Sequence, residues 1–213
     1  RRRILAFNGT YHGSVDETLC FQFGDVLINY PGMMGPLLED PSAITRMIEF
    51  NDLEALEKAL ATKEIACLIT EPVMTNSCMV LPEPGFHAGL RDLATRYGAL
   101  LIVDETHTIS SGPGGYTRVH GLQPDIFVVG KCVAGGMPTA VWGLTEAVAA
   151  RFAAYDATRP PGHSGMGTTL SANPMQFACL RATLAEVMTP ENYARMEAGA
   201  ACLHAGLSKA IAA

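Results

Sequence analysis

The chain has 213 residues, of which 48% are hydrophobic and 17% charged, and its formal net charge is −6. This composition is typical of a globular domain, and the basic residues form no stripe beyond residues 1–3, which argues against a nucleic-acid partner. No apolar run reaches the roughly 20 residues of a membrane span, and the short run after the arginines ends too early for a signal peptide. We therefore expect a cytoplasmic protein without a membrane partner.

The cysteines and histidines do not follow a metal-binding pattern. The six cysteines are scattered without a C-x-x-C pair, and the six histidines show no H-E-x-x-H spacing. The G-x-G-x-x-G fingerprint of dinucleotide folds and the G-x-x-x-x-G-K-[ST] phosphate loop are also missing from the sequence. Residues 162–165 (GHSG) resemble a nucleophile elbow, but Met166 replaces its last glycine. The sequence therefore predicts no metal site and disfavours a hydrolase.

Helical spacing is clear in the first half of the chain. Asn51 and Glu54 form an N-x-x-E arrangement, which predicts a helix with Asn51 as its N-cap. Apolar residues at helical spacing predict a second helix over residues 86–97, and Gly98 is its expected C-terminal cap.

Continuous apolar runs lie between and after these helices. The runs at 65–70, 100–103, 126–129 and 140–144 lack polar alternation, which is typical of strands buried on both faces. A strand, a crossover helix and a second strand in this order imply parallel pairing. The sequence therefore predicts an α/β fold with a mostly parallel sheet and helices on both faces.

The rest of the chain is predicted to contain loops and two further helices. Segments 105–124 and 159–169 are rich in glycine, proline and serine, and we expect both loops at the same edge of the sheet. Helices are expected at 174–188 and at 190–211, the second with Thr189 as N-cap.

Charged residues follow three of the predicted strands. Glu71 follows the first, Asp104 and Glu105 the second, and Lys131 the third. The carboxyl ends of parallel strands meet at the edge where ligands bind in open α/β sheets. A lysine and an aspartate at that edge fit pyridoxal 5'-phosphate (PLP), which is held as a Schiff base on a lysine while an aspartate pairs with its pyridine nitrogen. Taken alone, Asp104 is also typical of a turn cap and Lys131 of a surface lysine.

Five ordered segments carry a family resemblance. They are residues 7–13 (FNGTYHG), 71–76 (EPVMTN), 103–108 (VDETHT), 130–138 (GKCVAGGMP) and 167–174 (GTTLSANP). In order and approximate spacing they resemble the class III aminotransferases, and most of all the branch of glutamate-1-semialdehyde aminomutases and β-amino-acid transaminases. The resemblance implies the large domain of a fold type I PLP-dependent transferase.

The resemblance also implies roles for the residues around the cofactor ring. Asp104 would pair with the pyridinium nitrogen and Lys131 would be the covalent anchor and catalytic base. Tyr11 would stack on one ring face, as an aromatic side chain can, although a tyrosine of the core is the alternative. His12 belongs to the same Y-H-G motif.

Further residues would surround the ring and the phosphate. Glu71 would organise the hydrogen bonds around the aspartate, and Asn76 would lie near the phenolic oxygen. Thr169 would reach the phosphate of a neighbouring subunit's cofactor, which implies a homodimer with shared active sites. Thr168 is an equal candidate if the loop is shifted by one residue, and loop capping is the alternative for both threonines.

Two positions depart from the family pattern. Thr106 stands where relatives have valine or isoleucine against the ring, and its methyl group is expected to take that place. His107 stands where many relatives have glutamine or methionine. We expect His107 to contact the ring or the substrate, or to be a structural histidine.

The resemblance covers about the middle half of a family member. We therefore expect residues 1–189 to form part of the cofactor-binding domain and residues 190–213 to lead toward a small domain. The implied activity is that of an aminotransferase or aminomutase acting on a small amino acid or amino-aldehyde. The alternative is a non-catalytic fragment or decayed relative that serves as a scaffold or a dimerisation module.

Overall fold

The structure is a computed structural model that describes residues 1–29, 40–162, 167 and 169–212. In chain order its elements are β1 (Arg3–Phe7), β2 (Cys20–Phe23), β3 (Val26–Asn29), β4 (Thr45–Ile48), α1 (Leu53–Ala61), β5 (Ile65–Thr70), α2 (Phe86–Tyr97), β6 (Leu100–Asp104), α3 (Gly115–Val119), β7 (Ile126–Val129), β8 (Val141–Leu144), α4 (Glu146–Asp156), α5 (Pro174–Ala182) and α6 (Pro190–Ile211).

A six-stranded sheet organises these elements in the order β4-β1-β5-β6-β7-β8. All neighbouring strands are parallel except β8, which runs antiparallel to β7 at one edge. Strands β2 and β3 form a separate antiparallel hairpin. The predicted α/β class with a mostly parallel sheet is therefore confirmed.

The main core lies between the sheet and helices α1 and α2. Leu5 and Phe7 of β1 are fully buried there, and the ring of Phe86 at the start of α2 meets Phe7 edge-on at a centroid distance of 5.8 Å. Ala6, between them in the strand, packs instead with Cys20 of the hairpin. Alternate residues of β1 thus join different apolar clusters, which explains why residues 4–7 of this strand are all apolar.

The first helix begins one residue later than the sequence predicts. Asp52, not Asn51, is the N-cap, and its carboxylate accepts a hydrogen bond of 2.8 Å from the Ala55 amide. Asn51 has a left-handed backbone with φ of 69°, and its side chain donates to the Leu81 carbonyl and accepts from the Glu83 amide. It therefore fixes a distant loop rather than capping the helix.

The second half of the chain differs from the sequence prediction in three places. The predicted loop at 105–124 contains the short helix α3. Helix α4 was not predicted, because it has no buried residue and hence no apolar stripe. In the segment expected to be a helix over 174–188, the α-helix ends at Ala182 and a π-helical turn follows over Thr183–Val187.

The last helix agrees with the sequence prediction. Thr189 caps α6, and the hydroxyl of Tyr193 in its first turn donates to the Ile109 carbonyl at 2.9 Å. The start of α6 is therefore fixed to the segment that follows β6. The domain boundary at residue 189 stays a prediction. None of the described helices is long and apolar enough to cross a bilayer.

Glu105, directly after β6, connects the sheet to α3. Its side chain is fully buried and accepts hydrogen bonds from the Thr108 hydroxyl at 2.6 Å, from the Tyr116 amide at 3.1 Å and from the Thr117 amide. Gly115 has a φ of 74°, and a Cβ built there would stand 2.7 Å from a Glu105 carboxylate oxygen. Glycine is therefore required at this position both by the backbone and by the buried carboxylate.

We predict that Gly115→Ala lowers the free energy of unfolding by more than the ~1–3 kcal/mol that a left-handed backbone costs a non-glycine residue. Gly121→Ala is the matched control, because Gly121 has a φ of 66° with open space around its Cβ position. Urea denaturation of both variants measures the difference. Equal losses of stability would show that contact with Glu105 costs nothing.

Candidate active site

Four neighbouring parallel strands end at one edge of the sheet, and each is followed by a predicted site residue. The segment after β1 carries Tyr11 and His12, Glu71 follows β5, Asp104 ends β6, and Lys131 comes shortly after β7. The strand order places β1, β5, β6 and β7 side by side. The sheet thereby brings together residues that are 120 positions apart in the sequence.

A cavity of about 210 Å³ lies at this edge. Seven of the predicted site residues line it, together with a glycine, a valine and an alanine. The lining residues are Tyr11, His12, Gly13, Glu71, Asp104, Thr106, His107, Val128, Lys131 and Ala140.

Asp104 is one of the two carboxylates that line the cavity. Its Oδ2 lies 2.9 Å from His12 Nδ1, and its Oδ1 accepts a hydrogen bond of 3.0 Å from the Thr106 amide. Burial alone raises the pKa of Asp104, but the hydrogen bonds from His12 and Thr106 outweigh it and hold the pKa below the ordinary value. Asp104 is therefore ionised at neutral pH and presents a fixed negative charge to the cavity.

His12 stabilises this charge through a hydrogen bond to the carboxylate. An ionised carboxylate only accepts hydrogen bonds. Nδ1 of His12 therefore carries a hydrogen and donates the hydrogen bond to Asp104. Its side chain is 2% exposed, and Nε2 is buried without a hydrogen-bond partner among the residues that the structure describes. An unpartnered buried nitrogen in a cavity wall is uncommon and is typical of a functional site.

Glu71 forms a second polar centre beside Asp104. Its Oε1 accepts from the Tyr11 amide at 3.3 Å and from the Asn76 side-chain amide at 3.4 Å. Its Oε2 accepts from both the amide and the hydroxyl of Thr75, at 3.1 and 2.6 Å. Glu71 thus joins the segment that carries Tyr11 to the loop after β5, and it sets the position of the tyrosine.

Lys131 lines the cavity and is exposed. Its backbone is left-handed, with φ of 52°, a conformation that costs an L-residue other than glycine roughly 1–2 kcal/mol. The turn that starts at Lys131 is held by the buried side chains of Val133 and Ala134. Strained backbone of this kind is concentrated at functional sites, where the surrounding structure maintains it.

Thr106 and His107, the two departures from the family pattern, both line the cavity. A Cβ built on Gly130, the residue before Lys131, would stand 3.6 Å from the Thr106 hydroxyl oxygen. Nδ1 of His107 makes a short hydrogen bond with the Thr75 hydroxyl and lies 3.9 Å from Glu71 Oε2.

Two of the predicted residues that the structure describes are not on the cavity wall. Asn76 is exposed and contacts Glu71 through its side-chain amide instead. Thr169 is exposed in a turn of the 159–169 segment. Thr168 lies outside the residues that the structure describes.

Thr75 was not predicted as a site residue. It does not line the cavity, but its hydroxyl contacts both Glu71 and His107. The sequence could have indicated this residue, because Thr75 lies within residues 71–76, one of the five segments that carry the family resemblance. Glu105, which follows Asp104 in the sequence and was not predicted as a site residue, is not among the cavity-lining residues.

The donor set fits a cationic aromatic ring that carries an aldehyde. An ionised carboxylate suits a protonated ring nitrogen, an aromatic side chain suits a ring face, and a lysine amine suits an aldehyde. His12 contacts this carboxylate through Nδ1, and its buried Nε2 has no hydrogen-bond partner among the described residues. The described lining contains one lysine and no arginine, so a phosphate group would need donors from elsewhere.

Three comparisons with known proteins agree on a family. The family described as "Aminotransferase class-III" matches residues 1–213. Glutamate-1-semialdehyde 2,1-aminomutases from Desulforudis audaxviator and from Syntrophomonas wolfei are 37% and 36% identical over the whole of this chain, which covers 48% of each. The chain therefore spans about half the length of the curated relatives it matches.

Solved structures lead to the same group. A glutamate-1-semialdehyde aminomutase from Pseudomonas aeruginosa is 48% identical, with a TM-score of 0.91 over 97% of this chain and 47% of its own. A lysine-to-alanine variant of that protein was solved in complex with PMP. A β-phenylalanine aminotransferase from Variovorax paradoxus is 30% identical, with a TM-score of 0.71 over 91% of this chain and 41% of its own.

The fold expectation is confirmed by these neighbours, which are fold type I PLP-dependent transferases. Since the family match extends from the first residue to the last, this chain belongs to the class III aminotransferase family, whose cofactor is PLP.

Proposed function

We propose that the protein is a PLP-dependent aminotransferase or aminomutase that moves an amino group on a small amino acid or amino-aldehyde. The observation that carries the proposal is the shared cavity of Asp104, Lys131 and Tyr11, at the carboxyl ends of neighbouring parallel strands. Relatives of both kinds, an aminomutase and an aminotransferase, share this part of the chain. The proposal therefore covers both reactions.

Each residue has a role that follows from its chemistry. When bound, PLP supplies an electron sink for the pair released at the substrate α-carbon. Lys131 provides the amine that attaches the cofactor, and its free Nζ then takes and returns the α-proton. Asp104 keeps the ring nitrogen protonated, because a fixed anion favours a nearby cation. His12 and Thr106 orient that carboxylate through the hydrogen bonds described above.

Other residues complete the proposed site. Tyr11 covers one face of the ring, with its backbone held by Glu71. Thr106 and His107 line the same cavity. For the phosphate we propose the hydroxyl of Thr169 or Thr168 of a second subunit, and for Asn76 a place near the phenolic oxygen.

Lys131→Ala should abolish covalent attachment of PLP. The expected result is loss of the visible absorption band of lysine-bound cofactor, no cofactor retained on the protein after borohydride, and a fall in activity of roughly 10²–10⁴-fold. The measurement is absorbance and mass spectrometry of the intact protein before and after reduction.

Lys209→Ala is the matched control for this experiment, since Lys209 lies on exposed α6 away from the cavity. It should retain the band and the covalent adduct. Cofactor that stays attached in Lys131→Ala would contradict the assignment. Failure of the unaltered protein to bind PLP or turn over any amine would favour the alternative of a non-catalytic scaffold.

Asp104→Asn should weaken PLP retention by roughly 10- to 100-fold. A hydrogen bond to a charged group contributes about 1.5–3 kcal/mol, and 1.4 kcal/mol is a factor of ten in a dissociation constant. Equilibrium dialysis against PLP gives the value.

Asp125→Asn makes the same chemical change outside the cavity. Asp125 pairs with Arg91 at 2.8 Å and accepts from the Leu101 amide, so its variant should lose stability but not affinity for PLP. Equal effects of the two variants on affinity would show that the charge of Asp104 has no special role.

We further propose that the protein acts in the cytoplasm as a homodimer. Lys131 also lines a second cavity of about 920 Å³, together with Trp142 and Phe177. Trp142 is 51% exposed and Phe177 55% exposed, and exposed apolar groups beside a site are typical of an interface. A second copy placed there would bring its own loop residues close to Lys131.

Phe177→Asp should therefore shift the protein from dimer to monomer, because a charge would be buried at the interface. Light scattering after size-exclusion chromatography measures the mass. Leu81→Asp, at a loop position that is 67% exposed and away from that cavity, is the control and should leave the dimer unchanged. A dimer that persists in Phe177→Asp places the interface elsewhere.

A further inference from the structure

The hydroxyl group of Thr75 lies between a buried carboxylate and a histidine of the cavity wall. Thr75 Oγ1 is 2.6 Å from Glu71 Oε2 and also makes a short hydrogen bond with His107 Nδ1. The histidine does not reach the carboxylate directly, since its Nδ1 is 3.9 Å from Oε2. Thr75 is therefore the only bridge between them among the described residues.

The direction of these hydrogen bonds follows from the partners of Glu71. The amides of Tyr11 and Thr75 and the side-chain amide of Asn76 all donate to it. A carboxylate offers about four lone-pair positions, so the hydroxyl of Thr75 occupies the fourth as a donor. A hydroxyl has one hydrogen, and once it is given to Glu71 the oxygen can only accept from His107.

We propose that Thr75 is a positioning residue that holds the neutral ring of His107 in the Nδ1–H tautomer. Nε2 then carries a lone pair, and it has no hydrogen-bond partner among the described residues. Because the ring lines the cavity with Lys131 and Asp104, this nitrogen is an acceptor for an N–H or O–H group of the bound compound. It suits an amino group and disfavours a carboxylate at the same place.

A second histidine provides an internal reference. Nε2 of His87 lies 2.9 Å from the Pro72 carbonyl, which can only accept, so the neutral ring of His87 is the Nε2–H tautomer. Burial lowers the pKa of His87, so this ring is neutral at physiological pH. His87 and His107 are thus expected to be opposite tautomers in the same molecule.

The test is solid-state NMR of the intact protein labelled with 13C,15N-histidine and free of PLP. Nδ1 is identified by its bond to Cγ and Nε2 by its bond to Cδ2. Spectra are recorded at about pH 9, well above the ordinary imidazole pKa of about 6.5. The His107 signal is the one that disappears in His107→Gln. We expect protonated Nδ1 and bare Nε2 for His107, and the reverse for His87.

Two variants test the part played by Thr75. Thr75→Val removes the hydroxyl at nearly constant shape, and an Nε2–H form of His107 should appear. Thr75→Ser keeps the hydroxyl and should preserve the unaltered spectrum. A proton on Nε2 of His107 in the unaltered protein, or an unchanged spectrum in Thr75→Val, would overturn the proposal.

The role in binding an amino group rests on the proposed function, but the tautomer is read without cofactor or turnover. If PLP binds covalently and His107 is the Nε2–H tautomer, only this inference fails. If His107 is the Nδ1–H tautomer and PLP does not attach to Lys131, the proposed function fails and the positioning role of Thr75 stands.

Discussion

The arrangement of the site depends on one negative charge at the carboxyl end of β6. Asp104 is mostly buried, and burial would neutralise an isolated carboxyl group. Hydrogen bonds from His12 and from the Thr106 amide reverse that tendency and keep the group ionised. Because both donors come from segments fixed to the parallel sheet, the charge has a defined position as well as a defined state.

A second carboxylate performs a different task one strand away. Glu71 accepts hydrogen bonds from Tyr11, Thr75 and Asn76 and so joins the loops after β1 and β5. The lone pairs of Glu71 all accept from protein donors, whereas Asp104 keeps lone pairs that can accept from a ligand. These two acidic residues at the same sheet edge thus differ in function because their partners differ. A third acidic residue, Glu105, accepts a hydrogen bond from the Tyr116 amide and so holds α3.

The sequence predicted four of the six strands of the main sheet, β5 to β8, and did not predict β1 and β4. Residues 65–69 and 126–129 are apolar without interruption, because strands inside a sheet that is covered on both faces have no solvent side. Helix α4 has no such pattern, since nothing buries one of its faces. The N-cap was misplaced from Asp52 to Asn51 because both residue types cap helices, and only the loop that contains Leu81 decides which does.

The sequence by itself determined the fold class, the family and the residue types available at the strand ends. These depend on the local pattern of apolar residues and on the order of the motifs along the chain. Only the tertiary structure decided which of them share a cavity. Seven predicted residues do, whereas Asn76 and Thr169 are exposed outside it. The direction of a side chain at a strand end, and the partner that sets its charge or tautomer, depend on contacts between strands far apart in the sequence. Such contacts leave no periodic signal in the chain.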